Sequence, residues 1–288
     1  MRPDNETRAQ LNGALSGAST DDADLARLEL TLRATAPAVA LDPVFRRMLR
    51  ASLIARPWTT RYAALATPLG RIWVAYRENI VRYLSARSEE QFLEQALEAL
   101  GESPIREEQP PASVAHRVVA AIEGRRPLPS QVDLSTVTPF QREVLQAALS
   151  IPRGEVRSYA WIARELGHPR AVRAVGTALA RNPIPFVIPC HRVVRTNGDL
   201  GNYSGGGVET KARILQYEGV DLPHLHDLAQ RGLRFQGSRG SKSFCLPTCS
   251  SLKHASEENT IYFHSEAEAF QAGFHPCKLC RPAAPASA

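Results

Sequence analysis

Two groups of side chains in this sequence could do chemistry. The first is Cys190 with His191, inside Ile188-Pro189-Cys190-His191-Arg192-Val193-Val194. A thiolate is a strong nucleophile, and a neighbouring base or cation lowers a cysteine pKa from about 8.5 toward neutrality. The second is Cys245, Cys249, Cys277 and Cys280, two short-spaced pairs separated by 27 residues. Four thiolates in that pattern suit one tetrahedral Zn2+, and a module of under ~60 residues usually needs such a staple. With no export signal ahead of them, paired thiols at these spacings read as metal ligands rather than disulfides. Cys190 taken by itself has a second reading, as a small core hydrophobe, because free cysteine is among the most buried residue types.

The elements that must hold Cys190 lie on both sides of it. Pro183, Pro185 and Pro189 exclude a helix just before it, since each removes a backbone donor and crowds the preceding turn. The intervening Ile184, Phe186, Val187 and Ile188 suit an extended segment buried in a core. Upstream, residues 139–182 read as three helices. Phe140, Val144, Leu145 and Ala148 share one face of the first. A second starts near Ser158 with Tyr159, Ile162, Ala163 and Leu166 at helical spacing. A third turns Val172, Val175, Gly176 and Leu179 inward and ends at Asn182-Pro183. Two short helices joined by a tight Gly-containing turn, Gly167-His168-Pro169, make a helix-turn-helix pattern, and Arg164, Arg170, Arg173 and Arg181 give it positive charge. Downstream, Thr196-Asn197-Gly198-Asp199 is a turn, three glycines at 205–207 form a loop, and a last helix spans about Val208 to Glu218.

Elsewhere the chain supplies context. Its 288 residues, 43% of them hydrophobic, allow two or three domains with real cores. No apolar run approaches the ~20 residues of a membrane span, and the N-terminus lacks a secretory pattern, so a cytoplasmic monomer away from membranes is expected. The net charge of +6 is unevenly placed. Residues 140–220 carry eleven Arg/Lys against six Asp/Glu, and residues 231–288 carry seven against four. That surplus, on the segments holding the reactive groups, fits a polyanionic partner. Residues 1–58 read as a helical extension of unknown role, with Asp42-Pro43 as a helix start. From Thr59 the texture turns to strands: Ile72, Val74 and Tyr76 alternate with Trp73 and Ala75, Arg77-Glu78-Asn79 turns, and Ile80 to Leu84 returns. Helices follow near Glu89–Leu100 and Ser113–Ile122. The expected class is α+β, with a strand-and-helix domain over 59–135, a helix-turn-helix (winged-helix-like) domain over 136–222, a linker over 223–234 and a zinc module over 235–284.

The phrase Pro189-Cys190-His191-Arg192-Val193, with Asn182-Pro183 before it and Gly201-Asn202-Tyr203-Ser204-Gly205-Gly206 after it, resembles the active-site block of the methylated-DNA–protein-cysteine methyltransferases, the O6-alkylguanine-DNA alkyltransferases. The likeness covers roughly residues 59–220. It implies a single-turnover DNA-repair enzyme acting on double-stranded DNA that contains alkylated bases. A flipped O6-alkylguanine enters a pocket and passes its alkyl group in line to Cys190; O4-alkylthymine is a further base the resemblance leaves open. By the same resemblance His191 is the base, acting through a water, and Glu218 is the carboxylate that orients it. Tyr159 is the hydroxyl that protonates or polarises the leaving base, and Asn182 is the hinge before the active-site segment. Arg173 fills the hole left by the extruded nucleotide, Tyr203 and Ser204 line the pocket, and Arg170 adds a DNA contact. Flipping costs a few kcal/mol of unstacking, so a side chain in the hole is physically sensible. The thioether product is stable, so each molecule acts once.

The second cluster, Phe244-Cys245-Leu246-Pro247-Thr248-Cys249 followed by Gly273-Phe274-His275-Pro276-Cys277-Lys278-Leu279-Cys280, resembles the zinc domain of the adaptive-response (Ada) alkyltransferases. There the domain precedes the guanine-repair domain; here it follows it. The resemblance implies one Zn2+ on Cys245, Cys249, Cys277 and Cys280, and no organic cofactor. It leaves two roles open, a second acceptor for methylphosphotriesters at Cys245 or an unreactive zinc module that grips DNA. Rival functions are a binding-only damage sensor, against which Cys190 argues, and a methylation-responsive transcription regulator, for which residues 1–58 are short and neutral.

Overall fold

The computed structural model describes residues 59–125, 132–252 and 255–282. The expected N-terminal helical extension, 1–58, lies outside the described residues. The chain first builds an antiparallel meander of β1 (Arg61–Thr67), β2 (Gly70–Arg77) and β3 (Ile80–Ser85), and β4 (Ile105–Arg106) adds parallel to β1 in the order β3-β2-β1-β4. The period-two alternation sorts its side chains. Tyr62, Trp73, Ala75 and Tyr83 pack on Phe92 and Ala96 of α1 (Glu89–Leu100), which Ser88 caps and Gly101, at φ 72°, ends. Ala63, Leu65, Ile72, Val74 and Tyr76 face the other way, toward α2 (Ala112–Ile122) and the main core.

That core runs without a break into the helices. α3 (Pro139–Leu149) begins with the Thr138 cap and Pro139 in its first turn, and buries Val144, Leu145 and Ala148. α4 (Tyr159–Glu165) is capped by Ser158, and α5 (Val172–Ala180) packs against both α3 and α4. β5 (Arg157–Ser158) pairs in parallel with β6 (Val193–Val194), which directly follows the Cys190–Arg192 turn. α6 (Gly207–Tyr217) then closes over the same region.

The segment before Cys190 differs from the extended form expected for it. Residues 183–189 are all buried, but they fold as successive turns, with Ile188 N–H donating to Ile184 O at 3.0 Å and Phe186 at φ 73°. The prolines exclude a helix, as read, yet the Asn182 side chain supplies the local partners that let the chain coil rather than extend. The first sheet also grips this segment, Leu84 N donating to Pro183 O at 2.9 Å, and just past β3 Ala86 N donates to Gly205 O of the glycine loop at 3.3 Å.

The stretch 223–234, expected as a linker, carries α7 (Leu222–Gln230), with Asp221 capping and Pro223 in the first turn. After it, β7 (Phe235–Ser238), β8 (Ser243–Cys245), β9 (Thr260–Phe263) and β10 (His275–Pro276) form a second sheet in the order β10-β8-β7-β9, with the short α8 (Glu266–Gln271) alongside. Phe235, Phe244, Phe263 and Phe274 fill its small core. Among the described residues no helix is long and apolar enough to cross a membrane.

Candidate functional site

Cys190 opens a three-residue 3-10 turn at the edge of a cavity of about 520 Å3, which Tyr159, Arg173, Gly176, Tyr203 and Ser204 also line. A 3-10 turn has about three residues per turn, so consecutive side chains point roughly 120° apart. Cys190 therefore faces the cavity while His191 and Arg192 face away from it, toward Glu218. The partner of the Cys190 thiol is Asn182, whose Nδ2 donates to Sγ at 3.1 Å and to Ile188 O at 3.0 Å, while its Oδ1 accepts from Ile184 N at 3.0 Å. One buried amide thus ties the end of α5 to the Cys190 turn.

The resting state of the thiol corrects the expectation that an adjacent imidazole makes it anionic. Burial pushes the Cys190 pKa above its ordinary value, and the Asn182 hydrogen bond and the Lys211 charge offset this only in part. Full desolvation disfavours the charged form, so burial at this position favours the neutral thiol. Tyr159 is likewise pushed up, first by burial and then by the Cys190 charge, which keeps its phenol protonated. Gly201, at φ 71°, lets the backbone approach the phenol: a Cβ there would sit 3.0 Å from Tyr159 Oη.

Behind the thiol lies a closed ionic cluster. Glu218 Oε1 contacts His191 Nε2 at 3.1 Å and accepts from Arg192 Nη2 at 2.7 Å, while Oε2 accepts from Arg192 Nε at 2.9 Å. Burial raises the Glu218 carboxyl, but the hydrogen bonds from His191 and Arg192 outweigh it and hold the pKa down to about 2. Burial lowers His191, against the pull of Glu218, so the ring is neutral near pH 7. An ionised carboxylate only accepts, so the proton of this neutral ring sits on Nε2. Its Nδ1 is then a free acceptor, and it is buried with no hydrogen-bond partner.

Both shifts have the same sign for stability. A group whose folded pKa is depressed stabilises the fold above its unfolded pKa and loses that contribution as pH falls. His191 therefore begins to weaken the fold below about pH 6.5, and Glu218 does so between its ordinary 4.5 and about 2. Thermal melts should show the midpoint falling in two stages on acidification; a flat profile from pH 7 to 4 would contradict the neutral buried imidazole.

Of the other residues singled out in the sequence, Arg173 is exposed at the cavity rim, whereas Arg170 is exposed on the turn before α5 and outside the cavity lining. Tyr203 stands edge-on to His191, with ring centroids 6.2 Å apart at 89°. Arg164 points to the C-terminal module, donating to Glu266 at 3.0 Å and Pro282 O at 2.7 Å. Two residues were missed. Arg192 gave no signal beyond its place after His191. Lys211 is fully buried, its Nζ donating to Val193 O at 2.6 Å and Leu200 O at 2.5 Å and lying over the Tyr159 ring at 5.9 Å. Burial brings its pKa down to about 8 against the opposing field of Cys190. A lysine on the buried stripe of α6 with Ile214 and Leu215 was the available clue.

The thiols of Cys245, Cys249, Cys277 and Cys280 converge, all within 4.8 Å of one another. Ser251 Oγ lies 3.2, 3.1 and 3.4 Å from the sulfurs of Cys245, Cys249 and Cys277, and Leu246 N donates to Cys280 Sγ at 3.4 Å. Such donors stabilise thiolates, and an all-sulfur tetrahedral set is the donor chemistry of structural zinc, with Zn–S near 2.3 Å. The four cysteines form one Zn2+ site.

Comparison with known proteins agrees. The family model described as "6-O-methylguanine DNA methyltransferase, DNA binding domain" matches residues 139–220, and "Metal binding domain of Ada" matches residues 226–283. Over 166 residues the chain is 39% identical to the methylated-DNA–protein-cysteine methyltransferase of Salmonella typhimurium, covering 55% of this chain and 95% of that one. The constitutive enzyme of that name from Bacillus subtilis is 37% identical over 159 residues, again with 55% and 95% covered. The enzyme of that name from Cricetulus griseus is 46% identical over 107 residues, 36% of this chain, and the match spans about half of it, 51%. Among solved structures, the O6-methylguanine methyltransferase of Mycobacterium tuberculosis is 32% identical with a TM-score of 0.47, covering 56% of this chain and 93% of that one. The chain belongs to the methylated-DNA–protein-cysteine methyltransferase family and carries an Ada-type zinc module after the alkyltransferase part.

Proposed function

We propose that the protein repairs duplex DNA by moving an alkyl group from O6 of a flipped guanine to Cys190 in a single irreversible turnover. The observation that carries this is the buried thiol at a cavity shared with Tyr159 and Arg173, backed by a neutral His191 whose Nδ1 is a free acceptor. The Cys190 proton leaves through a water to His191 Nδ1, and Glu218 with Arg192 holds the ring as it becomes charged. The sulfur lone pair forms the S–C bond as the C–O6 bond breaks. The guanine anion takes the Tyr159 phenolic proton, which the buried phenol holds at neutral pH. No organic cofactor enters this balance. Lys211 places a positive charge beside the developing thiolate, lowering the cost of forming it in a dry site.

Arg173 occupies the gap left by the flipped nucleotide, and Arg170 contacts the backbone nearby. Tyr203 and Ser204 line the base pocket. The reading takes the active form to be a monomer in the cytoplasm, the compartment where paired thiols stay reduced and free to hold a metal. Cys190 within the pocket favours an acceptor over a binding-only sensor. The test is single-turnover transfer from a labelled O6-methylguanine duplex and from the free base. The parent should take up one methyl per chain from the duplex. Arg173→Ala should slow duplex repair on the order of tenfold, since it forfeits about 1.4 kcal/mol of the few that flipping costs, while leaving the free-base reaction nearly unchanged. Equal losses on both substrates would remove Arg173 from the flipping role, and repeated turnover would contradict the suicide reaction.

A further inference from the structure

The C-terminal module and the alkyltransferase part meet on one short segment, residues 155–165, and both metal-ligand loops take part. From the first loop, Thr248, which lies between Cys245 and Cys249, accepts from Val156 N at 2.9 Å and donates to Val156 O at 3.3 Å. Ser250 N donates to Glu155 Oε1 at 2.9 Å, and the other oxygen of Glu155 pairs with Arg157, both side chains being 2% exposed. From the second loop, the carbonyls of Cys280 and Arg281 accept from Trp161 Nε1 at 2.9 and 3.2 Å, and Arg281 pairs with Glu165 at 2.5 Å. The guanidinium groups of Arg157 and Arg281 lie 5.6 and 5.8 Å from the Trp161 ring.

That gripped segment also builds the reactive site. Within it, Arg157 and Ser158 pair in register with Val193 and Val194, the residues directly after the Cys190–Arg192 turn. Ser158 caps α4, whose first residue is Tyr159. Two loops fixed to each other by one ion therefore hold, from opposite ends, the backbone that sets Tyr159 against Cys190. A partner bonded to the carbonyl of a ligand residue stands where outer-shell groups stand, and losing such a partner typically costs 10–100-fold in metal affinity or activity.

We propose that Zn2+ in the four-cysteine site positions the alkyltransferase site, with Trp161 and Thr248 as the positioning residues that join the two. This rests on the proposed function for its second half, the effect on transfer. The first half, coupling between zinc and residues 155–165, stands without it. Coupling between sites is reciprocal for binding, so disturbing the junction also weakens the metal.

The test uses the full chain, zinc-loaded, against Trp161→Phe and Thr248→Val, with zinc affinity measured by competition with a chromogenic chelator. Amide hydrogen exchange over residues 155–165 is followed with and without chelator, and the transfer rate constant is measured apart from DNA affinity. Each variant should bind zinc about tenfold more weakly. Zinc removal should raise exchange in 155–165 and slow the transfer step about tenfold, with DNA affinity little changed. Should Trp161→Phe not fold, Thr248→Val, a near-isosteric change at a half-buried position, carries the same comparison. Unchanged exchange in 155–165 on zinc removal, or parent-like zinc affinity in the folded variants, overturns the coupling. A zinc-loaded parent that never alkylates Cys190 overturns the proposed function instead, and exchange and zinc affinity still decide the coupling.

Discussion

Cys190→Ala should lower alkyl transfer from an O6-methylguanine duplex by more than about 10⁴-fold, the scale of losing a covalent nucleophile, while DNA affinity stays within about twofold. The thiol is only 4% exposed and its one hydrogen-bond donor, Asn182 Nδ2, keeps Ile188 O when the sulfur is gone. The variant frees one of the two Asn182 Nδ2–H groups, at a cost of about 1–3 kcal/mol, and its fold should survive that loss. Arg173 and Arg170 are exposed away from this contact, so binding and chemistry separate cleanly. Stopped-flow transfer together with fluorescence anisotropy on the same duplex reads both. Residual stoichiometric transfer in the alanine variant would mean that the acceptor lies elsewhere.

Glu218→Gln is expected to cost both stability and rate. The carboxylate accepts from His191 Nε2 and from two nitrogens of Arg192 while 2% exposed. An amide offers one acceptor oxygen and turns an NH2 toward a donor. Breaking one partner of a buried pair leaves the other charge uncompensated, at a cost of about 3–5 kcal/mol. For a chain of this size the melting temperature should fall by roughly 10 °C. Without its carboxylate, His191 loses both the tautomer that frees Nδ1 and the counter-charge for its protonated state, so transfer should slow on the order of 100-fold. The rate–pH profile separates this from plain destabilisation: at a temperature where the variant is folded, its slower transfer should come with an acid limb moved to lower pH. A variant melting and reacting like the parent would dismiss the His191–Glu218 relay.

Much of this was legible in the residues because the signals are local. Apolar spacing at helical intervals marked α1 and α3 to α5, since each buries one stripe, and alternation marked β2, with the turn after it placing β3. Four short-spaced cysteines marked the metal site. What stayed hidden depends on partners distant in sequence. Nothing local says that Asn182 rather than His191 would hold the Cys190 thiol, because that contact depends on how residues 183–189 coil around the Asn182 amide ahead of the 3-10 turn. Nor does Arg164 announce that it serves the C-terminal module, as its partners Glu266 and Pro282 lie more than one hundred positions away. The helix Leu222–Gln230 was there to be read: Asp221 two residues before Pro223 is much the same start signal as Asp42-Pro43. Lys211 was also readable, as a charge on an otherwise apolar stripe.

Where the carbon goes decides whether Cys190 is the acceptor. Intact-protein mass spectrometry with peptide mapping, after exposure to an O6-methylguanine duplex, locates it. One methyl replacing one hydrogen per chain, carried by the peptide holding Cys190, is the predicted result. A full complement of repaired guanine with the Cys190 peptide unmodified would contradict it.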